Sequence, residues 1–262
     1  MPQPFVTAAV HDAVRLLPGF PQLRVLDLSC GGGEVLALLQ RDGCTVRGTR
    51  FRDDDYILEG EPAHLDPALV DRDVDLRRPL PYAAASFDVV LLVEVLEHLG
   101  AHDVVIHETG RVLRPGGHLV LTTPNVQRLH SRAHFLWTGT HKLIRRRPGW
   151  DVPRDDLYAY HVSPVDFPLL HTLLHQAGLE LSGLGYTRVK LRHCGWMALY
   201  PLVALATWFE TRRGAGTRRA GERDLRRWML HPAMLLSEQL LVRARRGAAG
   251  VAVGTGSAPV SN

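Results

Sequence analysis

Val25-Leu26-Asp27-Leu28-Ser29-Cys30-Gly31-Gly32-Gly33-Glu34, continued by Val35-Leu36-Ala37-Leu38-Leu39, decides the fold. A short apolar run ends in an acid, three glycines follow, and the segment after them reads as a helix. This order of strand, tight turn and helix opens a nucleotide-binding α/β unit. Glycines suit the turn because a Cβ would block positive φ angles and hold the backbone away from a ligand. The helix start beyond them offers free N–H groups. A glycine-rich turn alone is weak evidence; the order of the segments around it is what makes it specific.

Before the turn, Phe5, Val6, Ala9, Val10, Ala13, Val14, Leu16 and Leu17 recur at helical spacing and stop at Pro18-Gly19. Strand one spans 23–28 and its helix 34–41. Downstream, Cys44–Gly48 reads as a second strand, Asp53–Gly60 as a helical turn and Leu69–Leu76 as a third strand broken by Arg77-Arg78-Pro79. Phe87–Val93 is an apolar run interrupted only by Asp88, as in a strand buried on both faces. A helix over 102–113 ends at Pro115-Gly116-Gly117, and His118–Thr123 is the next strand. Strands alternating with helices imply a doubly wound, mostly parallel sheet with right-handed crossovers. Ligands bind such sheets at the carboxyl ends of the strands, where the strand order reverses. The positions to watch are therefore Asp27–Gly33, the segment from Arg50, Asp75-Leu76, Glu94–His98 and Thr123–Asn125.

After 125 the pattern loosens. Residues 126–160 mix histidine, arginine, tryptophan and proline and read as a lid or substrate-facing insertion. A helix at Pro164–Gly178 and a strand at Leu179–Lys190 follow. Residues 195–209 are strongly apolar, 211–227 Arg-rich, 236–243 strand-like, and the small-residue tail from Gly247 reads as disordered. Apolar content of 45% with 22% charged residues is that of a globular chain, and 262 residues allow one elaborated α/β domain or two small ones. The net charge of +4 is concentrated in Arg145-Arg146-Arg147 and in the arginines between 212 and 227. Such runs read first as solvated faces rather than contacts for anionic lipid or nucleic acid. Cys30, Cys44 and Cys194 form neither a disulfide framework nor a CxxC metal pair. The first residues lack a signal-peptide pattern, so a cytoplasmic location is the expectation.

Together, Val25–Gly33, Asp73–Pro81 followed by Ser86-Phe87-Asp88-Val89-Val90, Glu94–Leu99, and Arg111–Gly117 running into Thr122–Asn125 resemble the class I S-adenosylmethionine-dependent methyltransferases, in that family's order and spacing over roughly residues 20–190. The likeness is nearest to the branch of quinone, sugar and small-metabolite O-methyltransferases. The resemblance implies a seven-stranded, Rossmann-like sheet with helices on both faces and an antiparallel last strand, seen in Glu238–Arg245. It divides the chain into a core over 1–190, an insertion over 191–235, a last core strand within 236–246 and a tail over 247–262. It implies S-adenosylmethionine as cofactor, with Asp27, Ser29, Gly31 and Gly33 bordering its methionine part. Asp75 and the backbone of Leu76 would meet the adenine, and Glu94 would lie beside the methionine end or the acceptor. Two positions depart from the family. Ser29 replaces the usual first glycine, and Arg50 stands where the family has an acid that hydrogen-bonds the ribose hydroxyls. A guanidinium only donates and cannot accept from a hydroxyl. Asp53, Asp54 or Asp55 could supply the acceptor instead.

Methyl transfer from a sulfonium requires alignment and exclusion of water. An oxygen nucleophile also profits from a general base. Among the 14 histidines, His98 and His161 are the candidates, one after a strand end and one before the helix at 164. Glu94-x-x-Glu97-His98 would put two carboxylates and an imidazole on one face of a helical turn. With His161 they could bind a divalent metal, but the adopted reading assigns no metal and leaves them to acid–base chemistry and packing. The apolar stretch 195–209 is shorter than the ~20 residues of a membrane span. Its Trp and Tyr with following arginines suit either a peripheral membrane contact through 195–227 or a cap over the site. The resulting expectation is O-methylation of a small or lipid-like acceptor. The rivals are a degenerate, non-catalytic partner subunit, favoured by Arg50, and a nicotinamide dehydrogenase, disfavoured by the missing GxGxxG spacing. Oligomeric state is left open.

Overall fold

The computed structural model describes residues 3–51, 64–141, 150–153, 160–161, 163–212 and 216–248. Helix α1 (Pro4–Arg15) is followed by β1 (Arg24–Asp27), α2 (Glu34–Arg41) and β2 (Thr45–Thr49). Then come β3 (Val70–Asp71), β4 (Phe87–Val93), a 3-10 turn at Leu96–His98, α3 (Asp103–Val112), β5 (Leu113–Pro124) and α4 (Leu129–Thr138). The chain continues through α5 (Phe167–Gln176), β6 (Leu179–Gly185), a 3-10 segment at Leu191–Leu199, α6 (Tyr200–Thr211), α7 (Gly216–Met229), α8 (Pro232–Leu236) and β7 (Gln239–Arg246). One seven-stranded sheet runs in the order β3-β2-β1-β4-β5-β7-β6. Neighbours from β3 to β5 are parallel, and β7 lies antiparallel between β5 and β6. Strand order reverses between β1 and β4.

The alternation of side chains along the strands feeds two apolar layers. Val25, Val46, Val89, Leu91 and Val120 pack with α1 (Val6, Val10, Val14) and α2 (Leu36, Leu39). Leu26, Val90, Leu92, Leu119 and Leu121 point the other way, onto α3 (Val105, Ile106) and α5 (Phe167, Leu170, Leu174). Burial on both faces explains why β4 carries no polar alternation. A Cβ on Gly110 would lie 2.4 Å from the Ala177 carbonyl, so glycine is what lets α3 and the end of α5 approach.

Three expectations need correction. The third strand is only Val70–Asp71, because Asp73 takes a left-handed conformation (φ 57°) and turns the chain out of the sheet. Strand β5 starts at Leu113, not His118: Leu113 pairs with Phe87 and the next residues form an irregular stretch before His118 meets Val89. The strand after α5 stops at Gly185, and 186–190 are not strand. The turn expected at Asp53–Gly60, the three acids within it, parts of 126–160 and all of the tail beyond 248 lie outside the described residues.

The 191–235 stretch folds as the 3-10 segment and three helices. The 3-10 segment packs on α4, with the His193 ring 4.4 Å and the Trp196 ring 6.0 Å from that of His130. Asp224 on α7 accepts from His171 Nε2 of α5 at 2.9 Å and from Trp228 Nε1 at 3.1 Å, which fixes α7 to the core. Helix α6 buries only Thr211 and turns Leu202, Leu205, Trp208 and Phe209 outward.

Candidate active site

The glycine turn is stitched to the strands on either side of it. Leu28 N donates to Leu91 O of β4 at 3.0 Å, Ser29 N to Thr49 Oγ1 at 2.9 Å and Cys30 N to Thr49 O at 3.0 Å. Ser29, Gly31 and Gly33 all have positive φ (69°, 57° and 81°). The serine at the first position therefore adopts the conformation that glycine would, at a cost of about 1–2 kcal/mol for its Cβ. The two glycines serve different ends. A Cβ on Gly33 would strike Leu65 Cβ at 2.8 Å, whereas one on Gly31 meets nothing within 4 Å among the described residues beyond its chain neighbours. Gly48 in β2 was not singled out by sequence reasoning, although a lone glycine inside a strand is the usual sign of close backbone approach. Its Cβ would lie 2.6 Å from Cys30 Sγ, so it admits the turn against β2.

Asp27 ends β1 beneath this turn at 2% exposure. Burial, and then the nearby Glu34, push its carboxyl up to about 7. Its Oδ1 is buried and takes part in no hydrogen bond among the described residues. Arg50 is buried just beyond β2, its N donating to Asp71 O and its carbonyl accepting from Val74 N. Asp75 accepts from Arg77 N and Nε, both at 2.9 Å, and Arg77 holds its carboxyl below the usual range. Leu76 beside it is buried.

Across the switch point, Glu94 follows β4 with φ 58° and its N donates to Thr122 O. That conformation breaks the helical turn expected over 94–98. The 3-10 turn starts at Leu96, and Glu94 Oε2 instead accepts from Gln239 Nε2 of β7 at 3.0 Å. Glu97 is 1% exposed and accepts from Thr123 Oγ1 at 3.1 Å. Burial, then the charge of Glu94, raise its pKa well above the carboxylate range. The His98 and His161 rings meet edge to face at 4.9 Å. Ligand-type atoms of Glu97, His98 and His161 lie within 4.8 Å of one another. The structure thus brings His98 and His161 together with Glu97, while Glu94 turns toward β7. One carboxylate and two imidazoles at this spacing can relay a proton or hold a divalent ion.

A family profile described as a methyltransferase domain matches residues 5–183, more than half of the 262-residue chain. The chain belongs to the class I S-adenosylmethionine-dependent methyltransferase family. Among curated proteins it is similar to the "Ubiquinone biosynthesis O-methyltransferase" of Brucella anthropi, 36% identical over 110 residues (40% of this chain, 43% of that one). The Agrobacterium fabrum protein of the same name is 33% identical over 136 residues (47% and 54%). The chain spans about half the length of the curated relatives it matches. A methyltransferase structure from Archaeoglobus fulgidus shares the fold, with TM-score 0.55 at 18% identity over 92% of this chain and 93% of that one. Another from Thermotoga maritima gives 0.53 at 14% identity over 92% and 89%.

The family's cofactor, S-adenosylmethionine, carries a cationic methionine end, and the residues at the turn fit it. Gly31 leaves room for close approach, and the unpartnered buried oxygen of Asp27 suits a positive group. Arg50, at the position the family resemblance assigns to the ribose, is a donor, and the candidate replacement acids lie outside the described residues.

Proposed function

We propose that the chain transfers a methyl group from S-adenosylmethionine to an oxygen of a small or lipid-like acceptor. The observation that carries this reading is the meeting of His98 and His161 beside buried Glu97, at the carboxyl end of β4 and one strand from the glycine turn. When bound, the cofactor supplies an electrophilic methyl on a good leaving group. Asp27, Gly31 and Gly33 would hold its methionine end, and Asp75 with Leu76 its adenine. An imidazole nitrogen of His98 or His161 takes the proton of the acceptor hydroxyl. The names of the curated relatives support an oxygen acceptor of the quinone-precursor kind.

The test is transfer of labelled methyl from S-adenosylmethionine to a panel of phenols and catechols. His98→Ala or His161→Ala should lower kcat by about 10²–10⁴, the range of a lost general base, with S-adenosylhomocysteine binding unchanged. Cofactor binding without transfer to any acceptor would favour the non-catalytic partner subunit to which Arg50 points.

A second reading concerns location. No helix among the described residues is long and apolar enough to cross a membrane. Helix α6 nevertheless exposes Leu202 (66%) and Trp208 (43%), and the Arg212 guanidinium sits 4.5 Å over the Phe209 ring and 5.1 Å over that of Trp208. An outward apolar face edged by arginine supports peripheral contact with an anionic membrane.

A further inference from the structure

A second group of polar side chains lies at the same end of the sheet, on the β5–β7 side of Glu94. Gln239, which donates to Glu94, is preceded by Glu238. Glu238 is the shared carboxylate for three cations: Arg128 Nη1 at 3.7 Å, Arg188 Nε at 3.7 Å and Lys190 Nζ in direct contact. Arg128 is 6% exposed at the start of α4, and its buried Nε has no hydrogen-bond partner among the described residues. One turn on, Arg132 donates Nε to the Gln127 carbonyl at 2.6 Å and leaves a buried Nη2 without a partner among the described residues. His193 closes the group from the 3-10 segment, 7% exposed, with Nδ1 also unpartnered.

The charges do not balance. Among the described residues three permanent cations, Arg128, Arg188 and Lys190, share the one carboxylate of Glu238, and Arg132 adds a fourth charge one turn along α4. His193 is held neutral by its burial and by His130, Arg128, Arg192 and Lys190 around it. Buried guanidinium groups with open donors are costly unless an anion satisfies them. Their planar fork matches a carboxylate or a phosphate, which accepts two parallel hydrogen bonds.

We propose that Arg128, Arg132, Lys190 and His193 form an anion-binding subsite that receives an acidic group, carboxylate or phosphate, on the methyl acceptor. This deepens the methyltransferase reading and rests on it. The acceptor would lie with its hydroxyl at His98 and His161 and its acidic group against α4 and the 3-10 segment. Glu94, through Gln239 and Glu238, connects the two ends. Arg128 and His193 are specificity-determining groups in this arrangement, not catalytic residues.

Binding of benzoate, phenyl phosphate and neutral benzyl alcohol to the full chain, followed by calorimetry, tests the proposal without requiring turnover. At least one of the two anions should bind tenfold or more tightly than benzyl alcohol, and which one does identifies the acidic group. The preference should disappear in Arg128→Gln and in Lys190→Gln, and persist in Arg41→Gln, an exposed position at the end of α2. Lys190 is partly exposed, so its variant tests the subsite even where loss of Arg128 unfolds the chain. Equal binding of the three probes, or an anion preference unchanged in a folded Lys190→Gln, overturns the proposal. Methyl transfer to neutral phenols without anion preference defeats the subsite alone. Anion preference without methyl transfer defeats only the catalytic reading.

Discussion

Asp27→Asn isolates one buried carboxyl whose effect can be worked out in advance. In the folded chain burial and Glu34 lift it from 3.8 to about 7, while in the unfolded chain it returns to its ordinary value. A raised folded pKa gives stability that is fully present below about 3.8 and lost as pH rises through about 7. At about 1.4 kcal/mol per pH unit, that loss comes to about 4 kcal/mol. The asparagine side chain has nearly the same shape and does not ionise. Urea unfolding of both proteins at a series of pH values therefore gives two curves, in which groups away from residue 27, Glu97 among them, contribute alike. The stability of the variant relative to the parent should rise steadily from about pH 4 to pH 7 and then level off. Cofactor binding should move the other way, because the variant has no negative charge for the α-ammonium at the amino-acid end and should bind S-adenosylhomocysteine more weakly above pH 7. Parallel unfolding curves would refute the claim that Asp27 is desolvated in the apo chain and held ready for a cation.

Other perturbations probe separate parts of the account. Gly110→Ala should destabilise the fold by roughly 1–3 kcal/mol, measured as a lower midpoint in urea, because its Cβ would strike the Ala177 carbonyl. Glu108→Gln should cost roughly 2 kcal/mol at neutral pH and much less at pH 3: Arg111, chiefly, holds the Glu108 carboxyl low, and its stabilisation is present above the unfolded pKa and lost as pH falls. If Glu97, His98 and His161 hold a divalent ion, chelation should abolish methyl transfer and added metal restore it; full activity in excess chelator leaves them to proton transfer. Flotation with anionic vesicles should carry the chain upward in low salt and less so after Arg212→Glu, whereas equal behaviour with neutral vesicles would assign α6 no lipid role.

Where both faces of a strand are buried, the sequence announces it: Phe87–Val93 is strand from end to end, and the helix read at 34–41 has those same limits. Legibility failed where a single backbone angle or a distant partner decides the outcome. The positive φ at Asp73 cuts the third strand short, and that at Glu94 removes a carboxylate from the face expected to carry it. Neither residue is a glycine, so nothing in the residue types marks the turn. The partner of Glu94 is Gln239, 145 positions away and brought near only by the antiparallel return of β7. The cationic group around Arg128 was invisible for the same reason, since its members come from α4, the stretch after β6 and the start of β7. His98 and His161 could be named from their placement after a strand and before a helix, and the structure puts their rings together.

The most direct test of the central claim is calorimetric titration of S-adenosylhomocysteine into the intact chain and into Gly31→Val. Among the described residues, chain neighbours aside, no atom lies within 4 Å of the would-be Cβ of Gly31, so the valine loads the ligand side of the turn and the left-handed backbone. The account predicts saturable binding at one site in the parent chain, lost in the variant. A parent chain that gives no heat with S-adenosylhomocysteine yet binds NADPH, or a folded valine variant that binds S-adenosylhomocysteine as well as the parent, would contradict it.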